Sequence, residues 1–453
     1  MRDLTEPPPP PQAEPWPWIL RRYLVLAALC LIATIAYIQR NSIAVAEKAI
    51  AEDLGLDEKQ MGFVLSAFFL SYALFQIPSG WIGDAWGSRR SLSLFACVWS
   101  ISTGLMGVAA GLWMLIAVRA LMGITQAGVF PSSTNSISKW FPASRKAFAA
   151  GALGSFMSVG AGIGAWLTGI LVEDVGWRWL FVLYALPGII WAVAFYWWFR
   201  DTPREFFGSR SGRSAGDVDD PSPISVEPPR PPTPWLAIFS SPATWLICTQ
   251  QAFRASGYMF YGSWFPRFLQ NVYGVDLKQA GMMTALPVWA VVPGGILGGW
   301  IQDRILVRTG NVWLSRGGVA ICGTLASAAC FAGAYFIHVE SPWQVVSLIS
   351  LGSFFAAMTG PSGYAITMDM GGRHIGTLFG AMNMAGNIGA TLFALLVPWF
   401  VDWTETFADT AESWRLVLFL MAGIYVAAAV CWIPMNARGT VVDQALFGKP
   451  RSE

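Results

Sequence analysis

The sequence predicts an all-α membrane protein with twelve transmembrane helices in two pseudo-symmetric six-helix bundles around a central cavity. Of its 453 residues, 55% are hydrophobic and only 12% are charged. Soluble domains carry about 25% charged residues, so most of the surface of this chain must face lipid. Twelve apolar runs are long enough to cross a bilayer, and segments of the first six recur among the last six.

The elements follow in chain order. Residues 1–22 are polar and proline-rich and lack the apolar core of a signal peptide, which predicts a disordered cytoplasmic N-terminus. We expect an N-terminal bundle over 23–199, a cytoplasmic linker rich in Pro, Ser and Gly over 200–234, a C-terminal bundle over 235–436 and a cytoplasmic tail over 437–453. The predicted spans, numbered 1 to 12 along the chain, are 23–46, 61–82, 91–110, 113–138, 147–172, 179–199, 243–269, 279–301, 313–337, 344–368, 375–401 and 412–435.

Three pairs of segments, in the same order, indicate an internal repeat. They are "GALGSFMSVGAGIGAWLTGILV" (151–172) with "GTLFGAMNMAGNIGATLFALLV" (376–397), "GWIGD" (80–84) with "GWIQD" (299–303), and "WR" at 177–178 with "WR" at 414–415. Two parallel six-helix repeats are typical of secondary transporters. Lys and Arg favour the loops on the face of the two termini, which predicts that both termini are cytoplasmic. We also expect a plasma membrane, namely a bacterial inner membrane.

Composition argues against several classes of protein. The net charge of +2 does not suit a nucleic-acid-binding protein. The six cysteines lie in apolar runs without a CxxC pair, which predicts buried free thiols. Two histidines give a metal site or a histidine-based catalytic site almost nothing to build on. We therefore expect no enzyme activity, no metal and no cofactor, and a monomer whose partners are the bilayer and a small solute.

Three arginines fall well inside predicted spans, namely Arg40, Arg119 and Arg254, whereas no Asp or Glu lies deep in any span. A charge at the bilayer centre costs about 2.5–3.5 kcal/mol on insertion scales, and arginine does not deprotonate to avoid that cost. An unpaired buried charge is expensive, so an anionic substrate is the expected partner. The alternative for each arginine is that its side chain reaches out to the membrane interface.

Helical spacing adds polar neighbours to these arginines. Tyr37 precedes Arg40 by three residues, Gln126 follows Arg119 by seven, and Tyr258 and Tyr261 follow Arg254 by four and seven. Asn383 and Asn387 lie four apart in span 11, where the gapless repeat pairs them with Ser158 and Gly162. Hydroxyl and amide groups suit a polyhydroxylated substrate. For Tyr258, Asn383 and Asn387, packing between helices is an equally good interpretation.

The stretch "GWIGDAWGSRR" (80–90) resembles motif A of the major facilitator superfamily. Within that superfamily the chain resembles the anion:cation symporter family, which includes hexuronate and sugar-acid transporters, sialin and the vesicular glutamate transporters. The resemblance rests on "YIQRNSIAVA", "SYALFQIPSGW", "RALMGITQAGVFPSS", "KWFP", "GWRWLF" and "RDTP". It implies that spans 1, 4, 7 and 10 line the cavity and that an organic anion is transported by alternating access.

The resemblance also implies residue roles. Arg40 corresponds to the arginine that binds the substrate carboxylate, Arg119 and Arg254 to further family arginines, and Tyr72 to a tyrosine that contacts sugar acids. The motif implies a conformational latch on the cytoplasmic face, formed by Gly80, Asp84, Gly87, Arg89 and Arg90.

At two positions the chain departs from the family. Gln39 and Gln126 stand where the symporters carry acids that bind protons, and glutamine does not titrate. Proton coupling by that route is therefore not expected, which leaves another proton path or sodium as the coupling ion.

Three functions are weighed. The first is a transporter of a small carboxylate such as a hexuronate, aldonate, aldarate or dicarboxylate, secondary active or facilitative. The second is an organophosphate or anion exchanger, which also needs arginines. The third, a receptor or membrane enzyme, finds no nucleophile, metal cluster or soluble domain to support it.

Overall fold

The computed structural model describes residues 16–207, 232–337, 342–435 and 439–447, and the regular structure in these ranges is helical. Most of the predicted linker, most of the N-terminal tail and much of the C-terminal tail lie outside the described residues. The helices of the first half are α1 Trp16–Leu54, α2 Glu58–Leu74, α3 Gln76–Trp86, α4 Ser88–Met106, α5 Leu112–Gln126, α6 Val129–Trp140, α7 Lys146–Trp198 and the short α8 Pro203–Phe207.

The second half begins with the short α9 Trp235–Ser240. It continues with α10 Pro242–Ser263, α11 Phe265–Tyr273, α12 Leu277–Thr309, a π-helical turn Leu314–Gly318, α13 Val319–Phe336, α14 Pro342–Met358, α15 Gly360–Met370, α16 Ile375–Thr404, α17 Thr410–Trp432 and α18 Val441–Phe447.

Several predicted spans consist of two helices joined at a break. These are α2 with α3, which meet at 51°, α5 with α6, α10 with α11, and α14 with α15. Proline lacks the backbone N–H that an interior helix position donates, and a proline lies near the start of the second helix in every pair: Pro78, Pro131, Pro266 and Pro361.

The helices accommodate the twelve predicted spans. In the described part of the chain, eight helical segments are long and apolar enough to cross a membrane, or nine with the bent pair α2 and α3. At 53 residues α7 is far too long for one crossing of a core about 30 Å thick, and Gly176 interrupts it with φ 74° and ψ 150°, so α7 supplies spans 5 and 6. The more polar α4 and α10 with α11 supply the remaining two.

The internal repeat is present, but the gapless sequence pairing is wrong by one helical turn. A side chain at Gly160 of α7 would meet the Thr34 carbonyl of α1, and one at Gly389 of α16 would meet the Ala252 carbonyl of α10. Gly160 therefore corresponds to Gly389 rather than to Ala385. Small residues recur about every four positions on such packing faces, so a shift by one turn preserves the pattern.

The corrected register changes the counterparts of the two asparagines. Asn383 occupies the place of Gly154 and Asn387 the place of Ser158, because both lie at fixed distances from the paired glycines. The second half thus carries two amide side chains where the first half carries a glycine and a serine. The repeat is symmetric in its backbone packing and asymmetric in the chemistry of its interior.

Replacing Gly160 with valine should destabilise the N-terminal bundle, since its Cβ would lie 2.5 Å from the Thr34 carbonyl oxygen. Overpacking of this kind costs about 1–3 kcal/mol. Gly169, in the same helix, has open space around its Cβ position, and Gly169→Val is the matched control. Thermal unfolding of the two purified variants measures the difference, and equal stability would contradict the close helix contact.

Candidate functional site

Arg40 of α1 is buried, with 8% of its surface exposed, and aromatic rings surround its guanidinium. The guanidinium carbon lies 4.5 Å from the ring centroid of Tyr37, 4.8 Å from that of Phe68 and 4.3 Å from that of Tyr72. Nε of Arg40 donates to Oε1 of Gln126 at 3.2 Å. Cation–π contacts and one amide therefore stabilise this charge, and no carboxylate forms an ion pair with it in the described part of the chain.

Arg119 of α5 lies behind Arg40 and is only 1% exposed. Its Nη1 donates to the backbone carbonyl of Arg40 at 3.5 Å, and its guanidinium carbon is 4.6 Å from the Phe68 ring. Phe68 thus contacts both cations. Because Arg119 is enclosed in this conformation, its guanidinium contacts Arg40 and does not face a space that a solute could enter. The predicted substrate contact of Arg119 would therefore be indirect, through Arg40.

The two glutamines at the predicted coupling positions face different surroundings. Gln126 accepts from Arg40 and donates to the Ala36 carbonyl at 3.2 Å, so it belongs to the arginine site. Gln39 instead points into the N-terminal bundle, where its amide nitrogen donates to the Tyr184 carbonyl at 2.5 Å and its oxygen accepts from the Trp99 indole at 2.6 Å. Gln39 therefore links α1 to α4 and α7 through buried hydrogen bonds.

Side chains of α16 connect the arginine site to the other bundle. Nδ2 of Asn383 donates to Gln76 Oε1 at 3.0 Å and to the Tyr72 hydroxyl at 3.3 Å. Tyr72 stacks on Phe68 and lies over Arg40, so the contact with Asn383 extends the arginine cage across the bundle interface. Asn387 donates to the backbone carbonyl of Asn383 at 2.8 Å, within its own helix.

Arg254 of α10 is partly exposed, and its Nε donates to Oε1 of Gln251 at 3.0 Å. A side chain at Gly386, one turn from Asn383, would lie 3.2 Å from the Gln251 amide nitrogen. Arg254 is therefore linked to the Asn383 region through Gln251. Together these contacts bring Arg40 of one bundle and Arg254 of the other to the same polar layer around α16.

The two tyrosines of α10 that were predicted to contact substrate have different surroundings. Tyr258 is 49% exposed, whereas Tyr261 is 2% exposed and packs among Phe260, Phe331 and Tyr425 in the core of the C-terminal bundle. The spacing of seven residues places Tyr261 two turns along α10, next to the core aromatics, and its packing there speaks against the predicted substrate contact in this conformation.

Sequence reasoning missed Phe68, Gln76 and Gln251 as members of the site. Helical spacing held the signal, because Phe68 and Gln76 lie four residues either side of Tyr72 and Gln251 lies three before Arg254. Phenylalanine and glutamine carry no charge, so nothing marks them as site residues in an apolar span.

Asp84 of α3 binds the beginning of α16 in the opposite bundle. Its carboxylate accepts from the backbone nitrogens of Gly376 and Thr377 at 2.8 Å each, and from the Thr377 hydroxyl at 2.9 Å. A carboxylate at a helix N-terminus is stabilised by the unpaired N–H groups and by the helix dipole. Burial beside Arg373 lowers the pKa of the adjacent His374, so this residue adds no positive charge to the helix end near pH 7.

The second half repeats this contact with Asp303 of α12. Asp303 accepts from the backbone nitrogens of Phe148 at 2.7 Å and Ala147 at 3.2 Å, at the beginning of α7. Arg316 donates to Asp303 and to Asp369, each at 3.2 Å, and Lys146 pairs with Asp369 at 3.7 Å. The repeat "GWIQD" held the signal for Asp303. Arg316 and Asp369 lie outside any repeat that the sequence shows.

The five residues predicted for the latch divide into two groups. Gly80 contacts the Gly376 carbonyl directly, beside Asp84. Gly87 makes the turn between α3 and α4 with φ 83° and packs against Asp201.

The two latch arginines lie on the outer side of the N-terminal bundle, because α4 begins there. Arg89 donates from its backbone nitrogen to Asp201 at 3.0 Å and from Nε to the Tyr196 carbonyl at 2.7 Å, both within its own half. Arg90 is exposed. In this conformation the described contacts of Arg89 therefore lie within the first half, and the assignment of both arginines to the latch stays a prediction.

These contacts close one face of the molecule. The carboxylate pairs at Asp84 and Asp303 join the bundles at the face that carries the first residues of α1, and Asn383 joins them nearer the middle. At the opposite face, Arg178 pairs with Asp53 within the first half and Arg415 with Glu412 within the second. The two bundles are thus held together at the face where α1 begins.

Known proteins resemble the chain over most of its length. A family model described as "Major Facilitator Superfamily" matches residues 29–326 and 313–452. A probable sulfoacetate transporter, SauU, of Cupriavidus necator is 32% identical over 384 residues, which are 84% of this chain and 88% of that protein. A D-galactonate transporter of Escherichia coli O6:H1 is 33% identical over 400 residues, 84% of this chain and 90% of that protein.

A solved structure shares the fold. The proton:xylose symporter XylE bound to 6-bromo-6-deoxy-D-glucose superposes with a TM-score of 0.68 at 14% identity, over 92% of this chain and 96% of that chain.

Asp84→Asn should loosen the closed face, because asparagine has no charge and one acceptor oxygen for the four groups that donate to Asp84. Hydrogen bonds to charged groups contribute about 1.5–3 kcal/mol, so the Gly376 and Thr377 amides should exchange hydrogen roughly tenfold faster or more. The matched control is Asp409→Asn, which removes the charge of the residue that caps α17 within one bundle. Hydrogen-exchange mass spectrometry measures these exchange rates, and unchanged exchange at the start of α16 would contradict the role of Asp84 in the latch.

Proposed function

The chain belongs to the Major Facilitator Superfamily and is a multi-pass membrane protein that transports small organic anions, and we propose that Arg40 binds the carboxylate of its substrate. The observation that carries this proposal is the environment of Arg40, a buried cation held by three rings and an amide instead of an acid. Gln126 accepts from Nε, and a guanidinium suits an anionic oxygen because it donates from several nitrogens in one plane.

We propose an anion with two acidic groups, or one acidic group and several hydroxyls, as the substrate. Arg254 supplies a second cation on the opposite bundle, and the amides of Gln251, Gln76 and Asn383 lie between the two arginines. Similar proteins are named as transporters of sulfoacetate, galactarate/D-glucarate and D-galactonate, which fits this pattern. An anion that contacts both arginines contacts both bundles, so its binding acts on their relative position.

Transport then proceeds by alternating access. With both termini in the cytoplasm of a cell whose plasma membrane holds the protein, the closed face is the cytoplasmic one. Substrate binding at the α16 layer has to be followed by release of Asp84 from α16 and of Asp303 from α7. Gly80, Asp84 and Gly87 form the latch on this proposal.

The alternative, an organophosphate exchanger, is not favoured. The similar curated proteins are named for sugar acids and for a sulfonated carboxylate.

A panel of ligands tests the proposed substrate class. Thermal unfolding of the purified protein should shift upward by mass action with aldarates, sulfoacetate or aldonates and remain unchanged with sugar phosphates. Uptake of the binding compound into proteoliposomes then separates transport from binding. Stabilisation by sugar phosphates alone would overturn the substrate proposal while leaving the family membership intact.

Arg40→Ala should abolish both uptake and the ligand-induced thermal shift, because it removes a charge-assisted contact. Arg40→Lys should also be poor, since a compact ammonium neither forms the planar fork nor reaches the three rings in the same way. Arg308→Ala, at an exposed arginine at the end of α12, is the control. Normal uptake by either Arg40 variant would remove Arg40 from the binding site.

Gln126→Glu should give the transporter a pH dependence that the unmodified protein lacks. A carboxylate 3.2 Å from Arg40 Nε would pair with Arg40 and compete with the substrate when ionised, so binding should weaken several-fold at neutral pH and recover on acidification.

The unmodified protein should accumulate little substrate in vesicles under an imposed pH gradient, because neither predicted coupling position titrates. Strong accumulation that a protonophore abolishes would contradict this prediction. It would show that protons bind elsewhere in the protein and that sodium is not needed as the coupling ion.

A further inference from the structure

A groove on the outer surface of the N-terminal bundle is unrelated to the arginine site. It runs between α4 and the second part of α7, with a volume of about 420 Å³. Its apolar floor and walls include Leu94, Cys97, Ala192 and Val193. Leu94 and Val193 are about half exposed, which in a membrane protein means that they face lipid.

One end of the groove is polar and positively charged. Arg90 lies there in the first turn of α4, where the helix dipole favours an anion. Arg90 is exposed and has no partner among the described residues. The neighbouring Arg89 is engaged by Tyr196 and by Asp201, so the single carboxylate at this helix end is already bound to a backbone N–H.

A second, independent feature indicates a ligand. Ser93 lines the groove one turn after Arg89, is only 8% exposed, and its hydroxyl has no hydrogen-bond partner in the described part of the chain. Buried polar groups are nearly always satisfied, so a hydroxyl left unpaired next to an unpaired arginine calls for an acceptor that comes from outside the protein.

Two tryptophans fix the depth of this end of the groove. Trp86 and Trp197 line it and are 51% and 73% exposed. Exposed tryptophans on membrane proteins concentrate at the level of the lipid headgroups. The charged end therefore lies among headgroups and the apolar part extends toward the acyl chains, an arrangement that matches a phospholipid in both position and polarity.

We propose that this groove binds one anionic phospholipid, with an acyl chain between α4 and α7 and the phosphate against Arg90 and the Ser93 hydroxyl. Arg90, which the motif assigned to the latch, serves on this proposal as the headgroup ligand. The lipid would bridge the start of α4 and the end of α7, two elements that Asp201 and Arg89 already connect, and would brace the turn at Gly87 beside the latch.

Native mass spectrometry of the purified full-length protein in detergent tests the proposal, because it measures which lipids stay bound. Phosphatidylglycerol should bind at least several-fold more tightly than phosphatidylcholine, and Arg90→Gln should remove that preference. Arg308→Gln, which removes an exposed arginine of the same face, should keep it. Glycerol 3-phosphate, which has the headgroup chemistry without acyl chains, should not compete at equal concentration. No preference in the unmodified protein, or the same preference in Arg90→Gln, overturns the proposal.

Cysteine modification supplies a second measurement that does not depend on a substitution. Cys97 lies in the groove, whereas Cys322 is an exposed thiol on the other bundle. Phosphatidylglycerol should slow the reaction of Cys97 with a maleimide several-fold while leaving Cys322 unchanged, as followed by peptide mass spectrometry. Equal rates at Cys97 with and without the lipid would show that the groove is empty and contradict the proposed acyl-chain position.

Discussion

A charge inside the membrane has to be stabilised by the protein itself, and the way this chain stabilises Arg40 governs the rest of its interior. Among the described residues no acid pairs with it. Three aromatic rings and Gln126 hold the guanidinium instead, and Arg119 supports its backbone carbonyl from behind. Rings offset part of the desolvation cost without neutralising the charge. The site is therefore stable when empty and still favours an anion.

The same constraint explains how the two bundles hold together. Asp84 and Asp303 each place a carboxylate on the unpaired backbone N–H groups that begin a helix of the opposite bundle. Each contact satisfies a charge and a helix end at once. Hydrogen bonds to a carboxylate and the ion pair of Lys146 with Asp369 can be exchanged for contacts with water when the face opens.

Helix α16 connects these two regions. It begins at the Asp84 contact, and two turns later Asn383 reaches Tyr72 and Gln76 across the bundle interface. Gly386 then lets Gln251, the partner of Arg254, approach closely. A single helix thus touches the closed face, the aromatic cage and the hydrogen-bond partner of the second arginine, which links the arginines to the contact that closes the molecule.

The helical fold, the division into two halves, the three intramembrane arginines and the match of "GWIGD" with "GWIQD" follow from the amino-acid sequence alone, because apolar length, charge and repeated motifs are local properties. The neighbours that each side chain meets depend on how the helices pack. It turned Gln39 into the bundle interior and Gln126 toward Arg40, enclosed Arg119, and shifted the repeat by one turn. Helical periodicity gives the face of a residue along its own helix, whereas the rotation of that helix against its neighbours depends on packing from the whole chain.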